Sequence, residues 1–214
     1  MNKIIACLMF GALSQSAWAL DAADQQRLSG IQQSWAHIQY ELPESQRTAA
    51  FEKLAAQASS FTQERQAVAE AWIWSGIVTS SWAGAQGGLG ALSKVKDAKV
   101  DLEKALALDP KALQGSAYTS LGALYDRVPG WPIGFGDSDK AEQLLKTALQ
   151  LNPNGIDSLY FWGDHLYRQK RYSEAKAALQ KALMAAPRPG RETADAGRRK
   201  EIEMLLVDVN KKLG

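Results

Sequence analysis

The sequence predicts an all-α protein, a solenoid of about four helical hairpins followed by a C-terminal capping helix. The first observation is a set of small and apolar residues that recur at a constant spacing. The second is that apolar residues elsewhere recur every three to four positions, as on one face of a helix. The third is that no alternating run of Val, Ile and Thr indicates a strand.

The constant spacing is 34 residues. It separates Ala141 from Ala175, Leu145 from Leu179, Ala148 from Ala182, and Pro153 from Pro187. This period is typical of the tetratricopeptide repeat, a helix–turn–helix unit with small residues where its two helices cross. Gly122 and Gly163 are therefore expected to face Ala141 and Ala175, because a larger residue would push the helices apart. The prolines are expected to end the second helix of each unit.

Residues 1–19 have the pattern of a cleavable export signal. A short charged start at Lys3 precedes the apolar stretch 4–13, and Ala17-Trp18-Ala19 is a small-x-small cleavage site. Cleavage after Ala19 predicts an exported protein without a stable membrane span. The chain's single cysteine, Cys7, lies inside this segment and would be removed; lipidation of Cys7 is the minority alternative.

The rest of the chain divides into helix pairs. Residues 20–62 lack the repeat positions and are interpreted as a degenerate repeat or a cap, and three repeats follow at 63–110, 115–153 and 156–189, with the capping helix at 190–214. The first repeat carries a Gly-rich insertion around 82–94, and the second carries one within 127–139. Insertions in a solenoid commonly emerge on one face and build its binding surface.

Composition argues against several classes of function. Without Lys3 the chain has 24 basic residues against 23 acidic ones, which indicates neither a nucleic-acid partner nor an anionic membrane. After cleavage only His37 and His165 remain as histidines, with no cysteine, so neither a metal centre nor a Cys/His nucleophile pair is expected. We therefore predict a non-enzymatic protein without a cofactor.

A basic cluster lies near the C-terminus. It is interpreted as a solvated face, partly paired with Glu192, Asp195 and Glu201. Its members are Arg188, Arg191, Arg198, Arg199 and Lys200.

The predicted binding surface is the concave face, which the first helix of each repeat lines, together with the second insertion. Aromatic side chains among a few charges are typical of ligand and peptide sites. The candidate binding residues are Arg127, Trp131, Phe135, Tyr160, Asp164, Tyr167 and Arg168. Those that lie on the helices are expected to be exposed. For Trp131 and Phe135 two interpretations stay open: they contact a ligand or partner, or they pin the insertion onto the helices.

Two further runs are more specific than the repeat. They are Leu124-Tyr-Asp-Arg-Val-Pro-Gly-Trp-Pro-Ile-Gly-Phe-Gly-Asp137, and Pro187-Arg-Pro-Gly-Arg191 followed by Asp195-Ala-Gly-Arg-Arg199. Both resemble the T-component family of tripartite ATP-independent periplasmic (TRAP) transporters, over roughly residues 71–206. The resemblance implies a periplasmic helical array, a ring-like homo-oligomer with a central pore, and association with the transporter's solute-binding protein.

The sequence thus supports two hypotheses of function. In the first, a periplasmic repeat protein binds a partner protein, a periplasmic solute-binding protein, together with a small apolar ligand, as an accessory of TRAP-type uptake. In the second, the chain is a general cell-envelope scaffold for protein–protein interaction with no role in transport. The characterised member of the resembling family is a lipoprotein, whereas this chain has the pattern of an ordinary cleavable signal.

Overall fold

The computed structural model describes residues 20–214, and this part of the chain is helical throughout, with no strand. Its α-helices are Ala22–Tyr40 (α1), Glu44–Glu64 (α2), Ala69–Gln86 (α3), Gly90–Leu108 (α4), Ser116–Arg127 (α5), Ser138–Leu151 (α6), Ile156–Arg168 (α7), Tyr172–Leu183 (α8) and Glu192–Leu213 (α9). The predicted all-α class is confirmed. The predicted export signal and Cys7 lie outside the described residues.

The helices pack as successive antiparallel hairpins. α3 packs on α4, α5 on α6 and α7 on α8, while α2 packs on α3 and α8 on α9, so each hairpin contacts the next. The alanines predicted at the crossings are fully buried: Ala141, Ala148, Ala175 and Ala182. Apolar burial between neighbouring hairpins is what stabilises such an array, since a single hairpin cannot cover its own apolar face.

The hairpins α3–α4, α5–α6 and α7–α8 each have a glycine where their two helices cross. This glycine packs on a leucine of the second helix of the hairpin. A Cβ added at Gly163 would lie 2.7 Å from Leu179 Cγ, and the equivalent distances are 2.8 Å from Gly122 to Leu145 and 2.6 Å from Gly76 to Leu102. The Ala175 and Ala141 carbonyl oxygens lie next, at 3.5 and 3.4 Å from the Cβ positions of Gly163 and Gly122. The leucine side chain, more than the alanine, therefore requires glycine here.

The Gly-rich insertion predicted around 82–94 is mostly helical. α3 continues to Gln86 and α4 already begins at Gly90. Alanine, leucine, glutamine and lysine in this stretch favour helix. Only Gly87 and Gly88 adopt the left-handed backbone that ends α3, with φ of 64° and 62°.

The first helix also packs on the last. α1 contacts α9 as well as α2 and α3, so the array closes on itself within one chain. The Tyr40 hydroxyl donates to Glu201 Oε2 at 3.3 Å, and Thr193 Oγ1 donates to Glu41 Oε1 at 3.2 Å. Burial raises the pKa of Tyr40, so its hydroxyl keeps the proton that it donates. The N-terminal pair thus contacts the array at both of its ends.

Candidate ligand cleft and partner-binding loop

The concave side of the array encloses a cleft of about 1080 Å³. Its walls come mainly from α1, α3, α5, α7 and α9, with further residues from α2 and α4, and α1 meets α9 at one side. Ligand pockets of proteins commonly measure about 300–1000 Å³. The cleft is therefore large enough for a small organic molecule, and we call it the central cleft.

One wall of the central cleft is aromatic. The Trp35 and Trp74 rings meet edge to face with centroids 5.9 Å apart, and Tyr40 meets Trp35 in the same way at 5.7 Å. Trp35 Nε1 donates to Ser81 Oγ at 2.8 Å, which fixes the indole. Edge-to-face contacts of this kind hold aromatic rings in place. This wall offers an apolar ligand a preformed surface.

Next to this wall, and joined to it by the hydrogen bond of Tyr40 to Glu201, lies a network of buried and half-buried charges around Asp157. This carboxylate accepts hydrogen bonds from Arg188 Nη1 at 2.7 Å and from Arg198 Nε at 2.8 Å. Arg198 also pairs with Glu201, and its guanidinium lies over the Tyr160 ring, 4.3 Å from the centroid. Although burial opposes ionisation, Arg198 and Arg188 hold the pKa of Asp157 well below its usual value.

The prediction of a solvated basic face is therefore wrong for Arg198, which is only 7% exposed. Arg188 is also half-buried, between Asp157 and Asp195. The signal was present in the helical spacing: Ala194, Arg198 and Ile202 are four residues apart and share the buried face of α9. An arginine on an apolar stripe indicates a buried ion pair more than a solvated charge.

Arg191 differs from the other arginines of the central cleft. Its side chain makes no hydrogen bond or ion pair within residues 20–214, and its Nε is fully buried without an acceptor. The guanidinium lies over the Trp74 ring, 5.0 Å from the centroid. Burial, with the neighbouring charge of Arg188, lowers the pKa of Arg191. Sequence inspection grouped Arg191 with its neighbours and missed this isolation.

The structure brings three of the predicted site residues together as a structural ion-pair cluster. Arg127 on α5 donates to Asp164 on α7, from Nη2 at 2.7 Å and from Nε at 3.1 Å, and Arg168 Nε lies 3.4 Å from the same carboxylate oxygen. Asp164 and Tyr160 are each only 8% exposed, so their expected exposure was wrong. Packing of α5 and α9 against α7 covers them.

Tyr167 lies apart from this cluster. Its ring packs on Tyr172 of α8 with centroids 5.7 Å apart, at the turn of the last hairpin. It does not line the central cleft, whereas Tyr160 and Arg127 do.

The second insertion forms a compact loop at residues 128–137, which we call the Trp131 loop. Gly136 N donates to the Pro129 carbonyl at 2.9 Å, and Asp137 N donates to the Tyr125 carbonyl at 2.9 Å. A side chain at Gly136 would overlap the Val128 carbonyl oxygen. These close backbone contacts hold the loop in one conformation.

The two aromatic residues of this loop have different environments. Phe135 packs on Tyr125, edge to face with centroids 5.3 Å apart, so it pins the loop to α5. Trp131 is 90% exposed, and the neighbouring Ile133 is 61% exposed. An exposed tryptophan on a fixed loop is the make-up of a protein-contact surface. Of the two interpretations left open by the sequence, pinning therefore applies to Phe135, whereas Trp131 does not pin the loop and its predicted contact role stays a prediction.

The described residues offer no metal centre and no helix that could span a membrane. No group of three or more His, Cys, Asp or Glu side chains in residues 20–214 is placed so that it could hold a metal ion. Within the same range no helix is both long and apolar enough to cross a bilayer. His165 is fully buried, but its Nδ1 is 2.7 Å from Asp126 Oδ1 between α7 and α5, away from the central cleft.

Comparison with known proteins agrees with this architecture. A family model of the tetratricopeptide repeat matches residues 133–192, which include α6, α7 and α8. Among solved structures, a thermophilic tetratricopeptide-repeat protein of Thermus thermophilus superimposes with a TM-score of 0.54 and 20% sequence identity, over 86% of this chain and 84% of that one. No curated protein matches. Residues 133–192 thus match the tetratricopeptide repeat, and the described residues have the fold of a helical-repeat solenoid.

Proposed function

We propose that this protein is a non-enzymatic, periplasmic binding protein that docks a partner protein through the Trp131 loop and holds a small, largely apolar ligand in the central cleft. The more specific form of the proposal is an accessory of TRAP-type uptake, with a periplasmic solute-binding protein as the partner. Repeat solenoids of this kind generally serve protein–protein interaction, which supports the docking role.

The observation that carries the proposal is the 90% exposure of Trp131 on a fixed loop. A large aromatic side chain contributes nothing to the fold when it is exposed, and tryptophan is the residue most enriched among the energetic centres of protein interfaces. Because the loop is already ordered by its own hydrogen bonds, docking would cost little conformational entropy.

The ligand part of the proposal rests on the central cleft. Its volume of about 1080 Å³ and its wall of Trp35, Trp74 and Tyr40 suit an organic molecule with an apolar body. The buried charges at Asp157 are already paired with Arg188 and Arg198, so they serve the fold. No arrangement of a nucleophile with a base lines this cleft, which supports binding without catalysis.

Affinity capture from periplasmic extract of the source organism tests the docking role. Three baits are used, each without residues 1–19: the wild type, Trp131→Ala and Trp82→Ala. Trp82→Ala is the control for the loss of a tryptophan elsewhere in the chain. We expect a solute-binding protein to be enriched by the wild type and by Trp82→Ala, and lost with Trp131→Ala. Equal capture by all three baits would contradict docking through this loop.

The general cell-envelope scaffold remains the alternative, because the Trp131 loop would serve a partner of any function. Capture of a protein unrelated to transport, again lost with Trp131→Ala, would select the scaffold over the transport accessory.

A further inference from the structure

Arg191 is a positive charge on the wall of the central cleft that the protein itself leaves unpaired. The other arginines of the α9 side, Arg188 and Arg198, share Asp157 and have second carboxylate partners in Asp195 and Glu201. Arg191 has no such partner among residues 20–214. The Arg191 side chain is half-buried, with its Nε fully enclosed, so a partly desolvated positive charge is left without a carboxylate in hydrogen-bonding reach.

We propose that Arg191 binds the carboxylate of an amphipathic organic acid whose apolar body lies against the tryptophan wall of the central cleft. This inference names the chemical class of the ligand and rests on the ligand-binding part of the proposed function. The guanidinium presents parallel N–H donors that match the two oxygens of a carboxylate.

The surrounding charges favour a single carboxylate over a phosphate. Asp157 and Asp195 lie close enough to act on Arg191, so a monoanion is repelled less there than a phosphate group, which carries about 1.5 to 2 negative charges at neutral pH. A carboxylate is also compatible with the contact between the guanidinium and Trp74, because it binds in the plane of the guanidinium and leaves the faces of that group free for the ring.

The size of the central cleft argues for a body beyond the carboxylate. A bare inorganic anion would leave most of the 1080 Å³ without protein contact. The indoles of Trp35 and Trp74 lie on the same side as Arg191, since Trp74 contacts both. Transfer of apolar surface from water onto these rings is favourable in proportion to the area buried. An acid with an alkyl or aryl body uses both features.

Isothermal titration calorimetry on the chain without residues 1–19 tests this assignment with three probes: octanoate, 4-phenylbutanoate and the uncharged octan-1-ol. We expect the wild type to bind both acids, and Arg191→Met to weaken that binding by at least about tenfold, as when one partner of a buried charge pair is removed. Arg191→Lys is expected to be intermediate, because lysine keeps the charge and loses the fork of donors. Binding of octan-1-ol is expected to be equal in all variants.

The matched control is Arg47→Met, which removes another arginine of the central cleft whose Nε already donates to the Leu42 carbonyl at 3.0 Å. Its acid binding should equal that of the wild type. Arg191→Met should melt no lower than the wild type without ligand, because it removes a half-buried charge that has no ion-pair partner in residues 20–214 and leaves an unbranched apolar side chain beside Trp74.

The inference is overturned if neither acid binds the wild type, or if Arg191→Met binds both acids with the affinity of the wild type. It is also overturned if acid binding is lost in Arg47→Met and kept in Arg191→Met. Binding of octan-1-ol without either acid would leave the apolar-ligand proposal standing and reject the role of Arg191. If the acids bind in a way that depends on Arg191, and still bind to Trp131→Ala, the inference about Arg191 holds even when no partner protein docks at the Trp131 loop.

Discussion

The ring of Tyr40, at the end of α1, lies directly against the backbone of Gly197 in α9. A Cβ at position 197 would overlap the ring carbons, so only glycine fits. The contact joins the first and last helices of the described chain, and Tyr40 also lines the central cleft. The closed form of the array therefore depends on one small residue.

Replacing Gly197 should open or weaken this closure. Gly197→Val is expected to lower the free energy of unfolding by about 1–3 kcal/mol, as overpacking of a filled contact does. Urea unfolding followed by circular dichroism measures the change. The control is Gly30→Ala in the middle of α1, where an added Cβ meets nothing within 4 Å, and a gain of about 0.5–1 kcal/mol is expected there. A Gly197→Val midpoint equal to that of the wild type would contradict the closure.

Gly163 tests the register of the repeats. Gly163→Leu would drive a side chain into Leu179, whose Cγ lies 2.7 Å from the Cβ position, and into the Ala175 backbone behind it. We expect the thermal midpoint of unfolding to fall clearly, because α7 and α8 are pushed apart although the protein still folds. Gly84→Ala in α3, with no atom within 4 Å of its Cβ, is the matched helical control. Unchanged melting of Gly163→Leu would refute the assigned helix crossing.

Asp157 should make stability depend on acid pH. Its pKa is lowered in the folded protein by Arg198 and Arg188, so its contribution is present above the usual aspartate pKa of about 3.9 and is lost as the pH falls below it. Asp157→Asn is expected to cost about 1.5–3 kcal/mol at pH 7, the usual worth of a hydrogen bond to a charged group. The difference in the free energy of unfolding between the wild type and Asp157→Asn should become smaller as the pH falls from 5 toward the pKa of Asp157 in the folded protein.

Urea unfolding at pH 7, 5 and 3 measures that gap. Asp139→Asn is the control, because Asp139 is exposed and forms no ion pair within the described residues. A gap for Asp157→Asn that is constant across the three pH values would show that the carboxylate charge is not what stabilises this network.

The two aromatic residues of the Trp131 loop should separate binding from folding. Trp131→Ala is expected to change the free energy of unfolding by no more than about 0.5 kcal/mol, as for an exposed residue. Phe135→Ala should be clearly destabilising, because it removes the packing on Tyr125. Differential scanning calorimetry of both variants measures this. If Trp131→Ala proves the more destabilising of the two, Trp131 has a structural role.

Much of the fold could be predicted because the repeat produces local sequence patterns, namely the spacing of small and apolar residues. The 34-residue spacing places Ala141 with Ala175, and these alanines are buried at equivalent crossings. A helix crossing imposes small residues at fixed positions, so periodicity in the chain becomes periodicity in space. The short turn at Gly87 and Gly88 was less predictable, since several glycines were present and only these two have left-handed φ.

The closure and the central cleft could not be predicted in the same way. The fit of Tyr40 against Gly197 joins residues from opposite ends of the chain, and neither position belongs to the repeat. Whether an arginine is paired or isolated also depends on that closure, because Arg191 and Arg198 look alike in the sequence and differ only in which carboxylates lie nearby. Local patterns predict helices, whereas the environment of a charge is a long-range property.

We propose that Trp131 is the centre of the surface through which this helical-repeat protein docks its partner. Isothermal titration calorimetry of the partner recovered by affinity capture, against the wild type and Trp131→Ala, measures its contribution to binding. We predict that the variant binds at least about 30-fold more weakly, the loss expected of an interface hot spot, with an unchanged melting temperature. Equal affinity of the wild type and the variant would contradict docking through Trp131.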